Sequence, residues 1–253
     1  MNYISRRQFI NYSCLAISSG ILTSCTNTNN SNSVAKTDKN LDQVTYGTNW
    51  YAQGEHGGFY QAIATGIYED YGLKVTIRMG NAQVNGIQLL AGGAIDFYMG
   101  SSIEAISSVE AGIPTITVAA IFQKDPQVLI AHPGVGNDSL EQLKGKPIFT
   151  SSLSEKGYWQ FLKSKFNYTD DQKRPYNFSV APFLLDKNVI QQGYLTSEPF
   201  TIQQKGGFEP VVMLLADAGY LPYATTIETT KKMVEKKPDL VQRFVDASIK
   251  GWY

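Results

Sequence analysis

Hydrophobic and polar positions follow two alternating periods along most of the chain, and the predicted elements come in strand–helix order. Residues 44–49 read as a strand. Residues 57–71 read as a helix with Phe59, Ala62, Ile63, Gly66 and Ile67 along one face and Gly72 as its stop. Leu73, Val75, Ile77 and Met79 are separated by Lys, Thr and Arg, the period-two signature of a second strand. Residues 83–91 predict a short helix closed by Gly92-Gly93, and 94–99 a strand. Ser101-Ser102-Ile103-Glu104 has the spacing of a capping box, which starts a helix reaching Gly112. The continuous apolar run 115–122 predicts a strand buried on both faces.

After His132-Pro133-Gly134 the pattern begins again. A helix opens at Asp138-Ser139-Leu140-Glu141 and ends at Gly145, a short strand covers 147–150, and a helix covers 156–166 with Tyr158, Phe161 and Leu162 on one face. Strands are predicted at 176–180, 193–197 and 211–215, and two helices at 227–236 and 238–252. This alternation defines an α/β class with mainly parallel sheets in two lobes and a ligand cleft between them. The first lobe is expected at 43–133, the second at 134–215, and 216–253 returns to the first, with crossings near 131–136 and 215–223. The last helix carries no cap, so the chain is expected to be a piece of a longer protein.

The N-terminus breaks the pattern. Arg6-Arg7 precedes an apolar-leaning stretch from Phe9 to Leu22, the charged and apolar regions of an export signal. The stretch is too short and too rich in Ser for a spanning helix. Ser5-Arg6-Arg7-Gln8-Phe9-Ile10 also resembles the twin-arginine motif; the twin-arginine and general secretion routes both stay open. Leu22-Thr23-Ser24-Cys25 resembles the bacterial lipobox, in which cleavage precedes a Cys whose thiol takes a diacylglycerol. Signal and lipobox thus occupy 1–25. A tether expected at 26–42 is rich in Asn, Ser and Thr and cannot bury enough apolar surface to fold. The expected location is outside the cytoplasm, in the periplasm or on the outer face of the cell membrane, held there by the Cys25 lipid.

Composition narrows the chemistry. Twenty-two basic residues balance twenty-two acidic ones in 253, so no basic footprint of a nucleic-acid binder is present. Both cysteines, Cys14 and Cys25, precede Ala35, which leaves the body without disulfide, thiolate metal site or cysteine nucleophile. The two histidines, His56 and His132, offer little for a metal or a proton relay, and no metal or cofactor is expected. No Gly-x-Ser-x-Gly elbow, Gly-rich dinucleotide loop, Walker loop or His-Glu-x-x-His occurs, and no enzymatic activity is expected.

The segment Asn49-Trp50-Tyr51-Ala52-Gln53-Gly54-Glu55-His56-Gly57-Gly58-Phe59-Tyr60 resembles a signature of the binding proteins related to thiamine-pyrimidine synthase, a set that includes binders of thiamine precursors, riboflavin, nitrate, sulfonates and taurine. Supporting segments follow in the same order: Gly66-Ile67-Tyr68-Glu69-Asp70-Tyr71-Gly72-Leu73, Gln88-Leu89-Leu90-Ala91-Gly92-Gly93-Ala94-Ile95-Asp96-Phe97, Glu110-Ala111-Gly112-Ile113-Pro114, Ser139-Leu140-Glu141-Gln142-Leu143-Lys144-Gly145-Lys146 and Pro238-Asp239-Leu240-Val241-Gln242-Arg243-Phe244. In the pyrimidine-binding branch the first motif runs Asp-Trp, Pro-Asn, then His, Gly and Tyr; Trp50, His56, Gly58 and Tyr60 match, and Asn49, Ala52 and Gln53 depart. The resemblance implies a type II periplasmic-binding-protein fold. It also implies the substrate-binding lipoprotein of an ABC importer, with a permease and its ATPase as partners and a pyrimidine-like or flavin-like ligand. A ligand-sensing lipoprotein of the same fold and a synthase-like enzyme are the alternatives. The synthases are cytosolic and carry a Cys-rich loop, which this exported, Cys-free body lacks.

Ligands in such folds sit beyond the carboxyl ends of strands. Asn49 and Trp50 follow the first strand, where Trp50 either stacks on a ring or packs the lobes together. His56 either donates to a ligand or clips its own loop, and Tyr60, one turn into the next helix, faces either cleft or core. Ser101 either caps its helix or, through backbone N–H groups, holds a ligand oxygen. Gln123 leaves the 115–122 strand at the cleft edge, and Ser151, Ser152 and Tyr158 occupy the matching place in the second lobe. Glu198 either accepts from a ligand N–H or sits in a first helical turn for its dipole.

Overall fold

The structure is a computed structural model that describes residues 40–81 and 84–253. The signal, Cys25 and residues 26–39 of the expected tether lie outside the described residues.

Two five-stranded sheets organise the chain. In the first, β1 (Asp42–Gly47) runs parallel to β2 (Leu73–Arg78) and β3 (Phe97–Ser101), and β10 (Ala224–Thr230) lies antiparallel between β3 and β4 (Thr115–Phe122). In the second, β6 (Ile148–Thr150) runs parallel to β7 (Lys173–Pro175) and β8 (Ile190–Tyr194), and β5 (Gln127–Ala131) lies antiparallel between β8 and β9 (Val211–Leu214). In each sheet the antiparallel strand is the one that arrives from the other lobe. The sheets are therefore mixed, where the strand–helix alternation predicted mainly parallel ones. Both sheets belong to one compact unit.

Helices cover the sheets: α1 (Gly57–Ala64), α2 (Ile67–Asp70), α3 (Gly86–Ala91), α4 (Ser102–Glu110), α5 (Tyr158–Phe166), α6 (Ala181–Leu185), α7 (Glu198–Gly206), α8 (Lys231–Lys236) and α9 (Pro238–Lys250). The amphipathic α9 buries Leu240, Val241, Phe244 and Ala247 on one face. Those side chains meet Val44, Tyr46 and Phe59 from β1 and α1, and Phe97 from β3, in the first-lobe core. Strand β5 is buried at every position. Leu129 and Ala131 join one second-lobe core with Trp159 and Leu162, whereas Val128 and Ile130 join another with Phe183 and Ile202. A strand clad on both faces has no polar alternation to reveal it.

Several expectations shift. The helix expected at 57–71 divides at Thr65–Gly66, because Gly66 takes φ 76°. The chain changes lobes at 123–126, before β5, so the second lobe begins ahead of the expected 134; His132-Pro133-Gly134 is a bend inside that lobe. No strand forms at 176–180, and the strand expected at 193–197 is β8, three residues earlier. The helix expected at 227–236 is β10 followed by α8: the Thr- and Ile-rich run from Thr225 to Thr230 suits a strand, and its place between β3 and β4 makes it one. The apolar β4 is an edge strand, with most positions partly exposed rather than buried on both faces.

Candidate ligand-binding cleft

A cavity of about 890 Å³, counted out to its open mouth, lies between the two sheets at the carboxyl ends of β1, β3, β6 and β8. Of the expected residues, Asn49, Trp50, His56, Ser101, Ser151, Tyr158 and Glu198 line it. Three do not. Tyr60 turns its hydroxyl into a buried position without a partner among the described residues. Gln123 is exposed and donates to the Ala120 carbonyl at 2.9 Å. Ser152 opens the short 3₁₀ turn Ser152–Ser154, between the lining residues Ser151 and Leu153, and is exposed.

The loop after β1 is fixed from within. Thr48 Oγ1 donates to the Trp50 carbonyl at 2.6 Å and accepts from Gly80 N at 3.2 Å. His56 is buried, and its Nδ1 accepts from Gln53 N at 3.1 Å, which leaves the ring proton on Nε2. Burial lowers its pKa to about 4 against the opposing pull of the Tyr51 carbonyl, so the ring is neutral at pH 7. The loop clip foreseen for His56 is therefore present.

This loop meets the second lobe directly. Gln53 Nε2 donates to Glu198 Oε1 at 3.1 Å, and Thr196 Oγ1 donates to Glu55 Oε2 at 3.0 Å. Close approach depends on Gly54, where a Cβ would stand 2.9 Å from the Thr196 carbonyl; within the second lobe, a Cβ on Gly193 would stand 2.7 Å from Glu198 Cβ, so that glycine lets Glu198 pack on β8. Glu198 also accepts from Tyr176 OH at 3.3 Å and from Tyr194 N at 2.8 Å, so three donors surround this buried carboxylate. An aromatic cluster closes the same edge. Phe178 stands edge-on to Trp50 at 4.3 Å and to Tyr51 at 4.7 Å, and Trp50 lies nearly parallel to Tyr176 at 6.3 Å. Phe178 reaches this place with φ 66°, a left-handed backbone that costs about 1–2 kcal/mol in a non-glycine residue.

The remaining walls carry oriented polar groups. Ser101 Oγ accepts from Glu104 N at 3.2 Å, which is helix capping. Gln192 Oε1 accepts from Ser151 N at 2.6 Å and from Tyr158 OH at 2.8 Å. Both bonds hold the oxygen end, and no described residue accepts from its Nε2. Burial raises the Glu55 carboxyl to about 7, with the Thr196 hydroxyl opposing and Glu198 adding to the rise. Sequence patterns passed over Gln53, Glu55, Asp125, Gln192, Tyr176 and Phe178. Glu55 and Gln53 stand inside the first motif; Gln192 lies in β8 ahead of the strand expected at 193–197, and Asp125 in a crossing that precedes the expected one.

Two lobes with mixed sheets, joined by two crossings and enclosing a cleft at strand ends, constitute the periplasmic-binding-protein fold. Residues 53–253 match the model of a family described as NMT1/THI5 like, and the chain belongs to that family. The riboflavin-binding protein RibY of Chloroflexus aurantiacus is 26% identical over 220 residues, covering 83% of this chain and 62% of that protein. The 4-amino-5-hydroxymethyl-2-methylpyrimidine phosphate synthase of Schizosaccharomyces pombe is 24% identical over 223 residues, covering 81% of this chain and 63% of that enzyme. The chain thus spans under two thirds of the length of both relatives. The aliphatic sulphonate binding protein SsuA of Escherichia coli shares the fold with TM-score 0.62 at 14% identity, over 83% of this chain and 68% of that one.

Proposed function

We propose that the chain is the extracytoplasmic substrate-binding component of an ABC importer, tethered by a lipid on Cys25, and that it captures a small planar heterocycle and presents it to a permease without converting it. The carrying observation is the cleft itself, walled by both lobes and latched across its edge by Gln53–Glu198 and Thr196–Glu55. Such a latch makes closure around a ligand the event a partner can read. The names of the relatives support the ligand class, since a flavin and an aminopyrimidine are both flat, nitrogen-rich rings. Trp50, Glu198 and Gln192 are assigned as ring face, acceptor and donor for such a ligand.

Thermal unfolding with riboflavin, aminopyrimidines, taurine and nitrate tests this reading. A ligand at 100 times its Kd should add about 2.7 kcal/mol and raise Tm by roughly 5–10 °C. A ring compound should do so and the anions should not. A flat response to the whole panel, or turnover of the bound ring, overturns the reading. Trp50→Ala should weaken the ligand found in this way by roughly 1–2 kcal/mol in calorimetric titration, through loss of a stacking face. For the anchor, Cys25→Ser should move the protein from the membrane fraction to the soluble fraction. A mutant that still pellets with membranes removes the lipid from the proposal.

A further inference from the structure

The charge on the cleft wall is one-sided. Glu55, Glu104, Asp125 and Glu198 all line the cavity, whereas among the described residues its one lining Lys or Arg is the exposed Lys156. None of the four carboxyls takes part in an ion pair among the described residues, although Lys and Arg elsewhere pair with Asp42, Glu155, Asp170, Asp217, Glu235 and Asp239. Glu55, Asp125 and Glu198 are buried and Glu104 is half-buried; carboxylates so placed without a countercharge are costly, and a cation is what repays them.

The four are not equivalent. Glu198 already has three donors, and Glu55 is held by the Thr196 hydroxyl at the lobe edge. Glu104, on α4, accepts from Tyr98 OH at 3.2 Å through Oε1. Asp125, in the crossing between β4 and β5, accepts from Gln127 N at 2.8 Å through Oδ1. Ser101 also donates toward the Glu104 carboxyl, whereas Asp125 has only the Gln127 backbone donor, and neither carboxyl meets a cation among the described residues. Tyr194 and Tyr220 line the same part of the cavity, and the hydroxyls of both feel the charges of Glu104 and Asp125. Two carboxyls beside two tyrosine rings satisfy both ways a protein attracts a flat cation, charge and ring face.

Resting on the reading of this cleft as the ligand site, we propose that its crossover end, formed by Glu104 and Asp125 with Tyr194 and Tyr220, holds a positively charged planar nitrogen group of the ligand, an amidinium or a protonated amino-heterocycle. The cleft then selects against sulfonates, nitrate and carboxylates, whatever other members of its fold bind. Burial places the Glu104 carboxyl at about 7 and the Asp125 carboxyl at about 6, each near its balance point at neutral pH, with Glu228 raising Glu104 further from β10. A bound cation draws both to the carboxylate form.

Benzamidine, benzamide and benzoate share one ring and nearly one size but carry charges of plus one, zero and minus one, so they serve as probes. Titrated calorimetrically into the purified chain, benzamidinium should bind at least about tenfold tighter than benzamide, as expected for hydrogen bonds to a charged partner. Benzoate should bind weakest. Glu104→Gln with Asp125→Asn keeps the oxygens that accept from Tyr98 and Gln127. It should bring benzamidinium down to the benzamide level, while benzamide itself loses far less. If benzamide or benzoate equals benzamidinium, or if the double variant keeps the preference, the charge assignment is wrong while the cleft reading stands. If none of the three binds and no heterocycle raises Tm, both are wrong.

Discussion

Phe244→Ala should lower the unfolding free energy by about 3–5 kcal/mol, the range for removing a fully buried aromatic side chain. Phe244 is 0% exposed. Its ring stacks on Phe97 at 4.1 Å and 15°, lies parallel to Tyr68 at 5.6 Å, and meets Tyr46 edge-on at 5.4 Å. It is therefore the point where α9 joins β1, β3 and α2. The hole left by Ala would be ringed by rigid aromatic rings, which collapse poorly, so the cost should fall in the upper part of the range. Phe244→Leu keeps much of the volume and should cost clearly less. Urea unfolding followed by far-UV circular dichroism measures both. A loss below about 1 kcal/mol for Ala would mean that α9 does not anchor this core. The cleft is built from other residues, so the ligand affinity of folded protein should be the same in both variants.

The extent to which sequence alone revealed this molecule follows the physics of each segment. Strands β1 and β2 alternate between core and solvent, and their two-residue period is visible. Strand β5 touches a core on each face, and its apolar run gave way to the turn signal at His132-Pro133-Gly134, which displaced the lobe boundary. The 115–122 run shows the converse: continuous apolar character does not tell an edge strand from a central one. At Thr225–Thr230 a β-branched cluster favours a strand on local propensity, whereas the expectation for 227–236 is a helix, and pairing between β3 and β4 decides for the strand. In the cleft, residues next to strand ends were legible because topology places strand ends there. Contacts such as Gln53–Glu198, 145 residues apart, and the meeting of Trp50 with Phe178 depend on how two lobes close, which no local pattern encodes.

Glu55→Gln should stabilise the protein above pH 8 by on the order of 3 kcal/mol and leave it nearly unchanged at pH 4. Glu55 is 3% exposed, and burial raises its carboxyl pKa from 4.5 to about 7. Its folded pKa therefore lies above its unfolded one. Between roughly 4.5 and 7 the native state holds a proton that the unfolded state has released, so stability falls as pH rises through this window and the loss is complete above it. Gln removes the ionisation while its amide oxygen still accepts from Thr196 Oγ1. His56 works in the opposite sense: its folded pKa of about 4 lies below the ordinary 6.5, so its share of stability is lost as pH falls through that interval. The two effects overlap between about 4.5 and 6.5, and the comparison of variant with wild type isolates Glu55 because His56 is common to both. Denaturant titrations at pH 4, 6 and 8.5 suffice. Equal gains at pH 4 and 8.5, or none at 8.5, would show that Glu55 is hydrated rather than buried. The Thr196–Glu55 contact would then not hold the lobes together.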